Sequence, residues 1–168
     1  MDAYGFRPIT PADLPMVRRW LESPAVREWW VDADGQPSDP IGEEDLKDRR
    51  VAMWIVNHLG DPFAFIQDYD PHAWAGHHFG SLPPGSRGID QFIGEPAMIG
   101  RGHGSAFIRA HVRTLMTRGA PAVGTDPSPN NARAIRAYEK AGFVPREERA
   151  TEWGRCLLMT CHADPAAG

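Results

Sequence analysis

Little cysteine is present in this chain of 168 residues. Cys156 and Cys161 are the only two, and their separation suits neither a CxxC redox pair nor a zinc knuckle, so both are expected as reduced thiols in or near the core. Lysine is as scarce, with Lys47 and Lys140 alone and arginine carrying the other positive charge. The 18 basic residues fall short of the 22 acidic ones, giving a net charge of -4, so a nucleic-acid partner is not expected. No apolar run approaches the ~20 residues that span a bilayer. The segment Met1 to Arg7 carries an acid and lacks the apolar core of an export signal, so the expected compartment is the cytoplasm, with no membrane partner. No internal repeat is visible, and the Ala/Pro-rich stretch 164–168 reads as a flexible tail. What is there, 42% hydrophobic and 24% charged, suits one domain over residues 1–168 that buries a core without staples, as a monomer or a weak homodimer.

Local signals order the chain. Tyr4 to Ile9 reads as a strand. Thr10, Pro11 and Asp13 supply a cap, a pre-set φ and a first-turn acid for a helix through about Leu21, and Ser23-Pro24 opens a short second helix ending near Glu28-Trp29-Trp30. Ala52 to Leu59 and Phe63 to Gln67 flank Gly60-Asp61-Pro62 as a hairpin. The stretch from Asp70 to Gly88, rich in Pro, Gly and His, is too long for an ordinary connection and is expected as a substrate-side flap. A strand Gly88 to Ile93, a helix through about Thr117, a strand Ala120 to Thr125, a helix from about Asn131 to Ala141 closed by Gly142, and strands 143–149 and 156–161 complete it. The order β-α-α-β-β-β-α-β-α-β-β indicates an α/β or α+β domain on a mixed sheet.

One segment carries chemistry. Ile99-Gly100-Arg101-Gly102-His103-Gly104 lies at the start of a helix, where unpaired backbone N–H groups and the helix dipole suit a phosphate or pyrophosphate without lysines. The spacing fits neither a dinucleotide fingerprint nor a Walker loop, and alone the motif is weak. His72, His77 and His78 match no metalloenzyme spacing, so no metal site is expected and the three read as solvated or acceptor-facing.

Downstream of that turn, Asn131, Ala134, Tyr138 and Gly142-Phe143 stand within Thr125 to Phe143 in a pattern that resembles the GNAT superfamily of acetyl-CoA-dependent N-acetyltransferases. Gly88-Ile89-Asp90-Gln91, Glu28-Trp29-Trp30 and Ile66-Gln67-Asp68-Tyr69 look, in the same order, like the aminoglycoside 6′-N-acetyltransferase branch. The resemblance implies a mostly antiparallel sheet with one splayed parallel pair, flanked by helices. It implies acetyl-CoA as cosubstrate and transfer to a primary amine by direct attack in a ternary complex.

On that resemblance, Arg101, Gly102, His103, Gly104 and Ser105 should hold the coenzyme A pyrophosphate, although Ile99 stands where a Gln or Arg is common. Gln91, Phe92 and Ile93 should meet pantetheine through backbone, an N–H near Phe92 or Ile93 facing the thioester oxygen, and Asn131 should lie near the same arm or cap its helix. Asp90 is the candidate base; a carboxylate titrating at ~3.9 is too acidic for the task unless burial raises it, so positioning is an equal role. Tyr138 is the candidate donor to the leaving thiolate. Trp30, Gln67, Tyr69 and Asp90, with the acids Asp68 and Asp70 nearby, are candidates for holding a cationic sugar; strand alternation favours Gln67 and Tyr69 over Asp68, and core packing competes for Trp29 or Trp30. Acetylation of another small amine (a polyamine, siderophore precursor or peptide amine) and a coenzyme A-binding module without turnover remain compatible with these residues, as the His-rich stretch departs from the more acidic aminoglycoside enzymes.

Overall fold

The computed structural model describes residues 3–164, so residues 165–168 of the expected tail lie outside the described residues. Strands β1 (Tyr4–Pro8), β2 (Val51–His58), β3 (Asp61–Tyr69), β4 (Arg87–Ile93), β5 (Ala122–Thr125), β6 (Val144–Thr151) and β7 (Gly154–His162) form one seven-stranded sheet in the order β1-β2-β3-β4-β5-β7-β6. Helices α1 (Leu14–Glu22), α2 (Pro24–Arg27), α3 (His103–Thr117) and α4 (Ala132–Ala141) cover it. Every neighbouring pair is antiparallel except β4 with β5, which run parallel and touch only at Arg87↔Val123 and Gly88↔Gly124. The mixed, mostly antiparallel sheet with one splayed parallel pair is the expected one.

Alternation along the central strands sends side chains to two cores. Val56, Ile66 and Ile89 face α3 and α4, meeting Phe107, Ile108 and Tyr138, while Ile55, Phe65 and Phe92 face α1 and α2. The α1 contribution is Leu14, Val17 and Trp20, a buried stripe at helical spacing. Each such side chain taken fully out of water is worth about 1.5–3 kcal/mol. The same alternation puts Gln67, Tyr69 and Asp90 on the α1/α2 side and turns Asp68 to the other. There Asp68 is buried and takes hydrogen bonds from Trp54 Nε1 (2.9 Å) and Arg87 Nη2 (2.6 Å), with His111 Nε2 3.0 Å away.

Several boundaries differ from those read in the sequence. Residues 11–13 are a 3-10 turn before α1, because the Asp13 carboxylate gathers the Thr10 amide and hydroxyl (both 2.9 Å) and the Arg7 guanidinium. β3 begins at Asp61 and runs on to Tyr69 because β2 and β4 pair along it. β5 starts at Ala122, since the Ala120 amide is still bonded to Leu115 O at the end of α3. The stretch after Asp70 is less free than a flap. Past a 3-10 turn at Pro71–Ala73 it is pinned by Phe79, 2% exposed and packed with Cys156 and Leu158, and by a His78 bond to Asp126. Cys156 is buried and Cys161 half-buried, both free thiols. Among the described residues no helix is long and apolar enough to cross a membrane.

Candidate active site

The splay between β4 and β5 creates the site. Past Gly88 and Gly124 the strands no longer pair, and the Thr125 hydroxyl donates to the Ile89 carbonyl across the opening (3.1 Å). The Gly94 amide, on the opposite parity, bonds to Phe63 of β3. Strand parity therefore turns the backbone N–H and C=O of Ile89, Gln91 and Ile93 into the opening, and those of Asp90 and Phe92 toward β3. Of the two amides expected near the thioester, Ile93 has the open one; the Phe92 amide faces Phe65, and its ring stacks on the Phe65 ring at 5.1 Å.

A cleft of about 460 Å³ runs from this opening to the start of α3, and Gln91, Gly102, Gly104, Ser105, Asn131 and Tyr138 are among its walls. Gly102, at the N-terminus of α3, has φ of +84°, and a Cβ there would meet nothing within 4 Å. The left-handed turn opens the helix, and its first-turn amides, which have no intrahelical partner, belong to residues 103–105 beside the cleft that Gly102, Gly104 and Ser105 line. A diphosphate fits that chemistry. The turn at 101–105 stands at the helix start, as the sequence predicts, and two of its side chains point elsewhere. The Arg101 guanidinium turns to Ala97 O (3.4 Å), and the His103 ring turns away to Tyr4 Oη (2.9 Å), His58 and Phe63. Asn131 is both cap and wall: its Oδ1 accepts from the Ala134 amide (3.2 Å) while the residue lines the cleft.

A second cleft of about 790 Å³ opens on the other side, and both include Trp30, Asp90 and Asp126 in their linings. Its wall carries Asp32, Asp39, Asp45 and Glu152; of the bases there, Arg50 is paired with Asp48 (2.7 Å) and stacked over Trp74, and Arg155 is paired with Glu148. Gln67 and Tyr69 also face it, as the alternation required. Gly88 lets Tyr69 lie there: a Cβ on Gly88 would sit 2.2 Å from the Tyr69 ring. The Trp30 ring packs edge-on to Phe92 (5.1 Å) and Phe65 (6.0 Å) while still lining both clefts, so core and wall are one role, and Trp29 lines both as well. Asp70 bonds the His72 amide instead of reaching the wall.

Asp90 stands at the junction. Gln67 Nε2 donates to its Oδ2 (2.9 Å), and the Asp126 carboxylate is within hydrogen-bond reach. Burial first, and the Asp126 charge second, push the Asp90 carboxyl up to about 7. Across the opening the Tyr138 hydroxyl, 4% exposed as a residue, takes a 3.4 Å contact from Gln91 Nε2 and lies within reach of Thr125. Burial pushes its phenol well above the ordinary value, keeping it protonated. The arrangement offers a carboxylate that can hold a proton near neutrality, a protonated phenol, and open backbone amides between them.

Sequence reasoning gave Asp126 no role, and it read His78 as solvated or acceptor-facing, whereas the ring is turned inward onto Asp126. His78 Nε2 lies 2.6 Å from Asp126 Oδ2, nearly buried. Asp126 follows the last residue of β5, and the carboxyl end of a strand beside a parallel split is where ligands collect, a signal that could have singled it out. No such signal marks His78, whose position depends on the path of an irregular segment. Among the described residues no group of three or more His, Cys, Asp or Glu is placed to hold a metal ion.

Residues 10–151 match the acetyltransferase (GNAT) domain family. An aminoglycoside N(6′)-acetyltransferase type 1 of Klebsiella pneumoniae is 34% identical over 165 residues, spanning 94% of this chain and 82% of that protein. A kanamycin resistance protein of Rhizobium radiobacter is 49% identical over 77 residues, 45% of this chain and 71% of its own. The solved structure of AAC(6')-Ib with paromomycin and acetyl-CoA superimposes with a TM-score of 0.85 at 31% identity, covering 96% of this chain and 94% of the other. The same enzyme with coenzyme A and kanamycin gives 0.83, covering 95% and 94%. By a match that spans most of its length, on the fold and splayed strand pair described above, the chain belongs to the GNAT family of acetyltransferases.

Proposed function

We propose that this enzyme transfers the acetyl group of acetyl-CoA to the 6′-amino group of an aminoglycoside, by direct attack within a ternary complex. The observation that carries the reading is the meeting of two clefts at Asp90 and Asp126: a glycine turn and helix start serve one, and a wall rich in carboxylates and aromatic rings serves the other. The first suits a diphosphate and the arm beyond it, the second a hydroxylated polycation. The relatives named above support the same pair of substrates.

In this reading the backbone at 102–105 holds the pyrophosphate, Gln91 and Ile93 pair with pantetheine, and the Ile93 amide faces the thioester oxygen as charge develops there. Arg101 and His103 serve through backbone, and Asn131 through the end of α4 it caps. The acceptor enters from the acidic cleft past Trp30, Gln67 and Tyr69, and its ammonium meets Asp90. A primary ammonium titrates near ~10.4, so passing its proton to a group at ~3.9 is uphill by about 9 kcal/mol. With Asp90 at about 7 the gap falls to about 5 kcal/mol. The neutral amine attacks the carbonyl, and the carbon–sulfur bond breaks as Tyr138 passes its proton to the departing thiolate. The proton still carried by the acetylated nitrogen returns to Tyr138, leaving the amide, the free thiol and a protonated Asp90 that gives its proton up to solvent. The chain works as a single domain over 1–168, monomeric or weakly dimeric, in the cytoplasm, where acetyl-CoA is supplied.

The test is thiol release from acetyl-CoA with kanamycin-type sugars against simple polyamines and peptide amines. Turnover is expected with sugars bearing a 6′-amine, each gaining one acetyl group. Turnover only with non-sugar amines rejects the acceptor, and acetyl-CoA binding with no amine acetylated rejects the enzyme.

A further inference from the structure

His78 comes from the irregular segment between β3 and β4, yet it reaches the pair of carboxylates on which acetyl transfer turns. Its ring stacks on His77 at 4.1 Å and lies 4.7 Å from Phe79, whose own ring is buried against Gly124 of β5. The segment is thereby clamped to the strand that ends at Asp126. Nε2 of His78 then meets Asp126 Oδ2 at 2.6 Å, the two side chains only 8% and 13% exposed. So short a contact between nearly buried groups makes the imidazole the direct partner of the Asp126 carboxylate.

The carboxylate pair needs such a partner. Two carboxylates within hydrogen-bond reach do not both ionise unless a positive charge offsets them. Gln67 gives Asp90 a donor without a charge. Arg87 is spent on Asp68 across the sheet, and Arg149 of β6 is spent on Glu147 and the His78 carbonyl. The other titratable groups facing the pair are Tyr69 of β3, Tyr138 of α4 and Cys156 of β7, none of them a cation, with His77 and Glu152 beyond. His78 is bonded directly to the pair, and imidazole changes its charge in the range where amine acetylation operates.

We propose that His78 is a positioning residue for acetyl transfer: bonded to Asp126, its imidazolium offsets that carboxylate and leaves Asp90 ionised to receive the proton of the acceptor ammonium. The inference rests on the reaction assigned above. It also gives the His-rich segment, where the chain departs from the more acidic pattern of the aminoglycoside branch, a part in the chemistry.

His78→Gln tests it, keeping a donor for Asp126 and removing the cation. The acid limb of kcat/KM is expected to move up by at least about half a pH unit, roughly a threefold loss on the acid side, with kcat on the alkaline plateau within about twofold of the parent. A uniform loss at every pH, with the limb unmoved, overturns the proposal and leaves His78 a packing residue. Two NMR readouts need no turnover. The carbon-13 titration of the Asp90 carboxyl is expected to rise in His78→Gln, and an unchanged midpoint contradicts the role. If that variant does not fold, nitrogen-15 spectra of the parent decide: the His78 ring is expected to carry protons on both nitrogens while Asp90 ionises, and a singly protonated ring there overturns the proposal. A parent that acetylates no amine defeats the functional reading alone, since both NMR readouts still judge His78.

Discussion

Replacing Asp90 by Asn keeps the shape of the side chain, leaves Gln67 an oxygen to donate to, and removes the only function a carboxylate adds at the junction of the two clefts. General-base catalysis is worth about 10²–10⁴ in rate, so kcat/KM is expected to fall by that factor. Stability should move the other way, and with pH. The Asp90 carboxyl ionises at about 7 in the fold, against ~3.9 in an unfolded chain. Below both values its ionisation costs nothing; between them the unfolded state gains by ionising first; above about 7 the full cost is present, up to about 4 kcal/mol. Asparagine carries no such cost. The melting temperature of Asp90→Asn should therefore match the parent near about pH 4 and exceed it near about pH 8 by up to about 8–16 °C, at roughly 2–4 °C per kcal/mol for a chain of this size. Paired melting curves and initial rates across that range decide it. A variant as active as the parent, or a melting difference that does not change with pH, refutes the reasoning that Asp90 is a buried base.

Four further outcomes follow from the same geometry. Tyr138→Phe leaves the α4 packing intact and removes the proton for the thiolate, so kcat should drop about 10²-fold with the acetyl-CoA KM nearly unchanged, and an unchanged kcat would falsify the donor role. Gly102→Ala meets open space but must hold φ of +84°; the strain of about 1–2 kcal/mol should raise the acetyl-CoA KM and spare the acceptor's, and steady-state kinetics with each substrate varied separates the two. Gly88→Ala drives a methyl into the Tyr69 ring, so the acceptor KM should rise while acetyl-CoA binding, read by calorimetry, stays within a few-fold. Raising salt should weaken a polycationic acceptor through the carboxylate-rich cleft, and a salt-independent acceptor KM argues against that wall as its binding surface.

Much of this was legible in the sequence because the signals are local. The period-2 alternation of β3 placed Gln67 and Tyr69 on the opposite face from Asp68, and the structure finds Asp68 sealed beneath α3 with His111 and Arg87. The glycine turn before α3 and the Asn131 cap of α4 depend on neighbouring residues, and both stand where they were expected. What the sequence could not carry is convergence over distance. Asp126 meets Asp90 only because β5 lies parallel to β4 and then diverges, and His78 meets Asp126 only because Phe79 anchors an irregular segment under Gly124. The motif sets His103 in the turn before α3 but says nothing of its ring, which Tyr4 holds in a contact between the first strand and the third helix.

The most direct measurement is a crystal structure of the protein with coenzyme A and a kanamycin-type sugar bound together. The expected result is a diphosphate on the amides of residues 102–105, the sulfur between Tyr138 and the open Ile93 amide, and a 6′-amine reaching Asp90 from the acidic side. Coenzyme A lodged elsewhere, or a sugar whose amines all lie away from Asp90, contradicts the account at its centre.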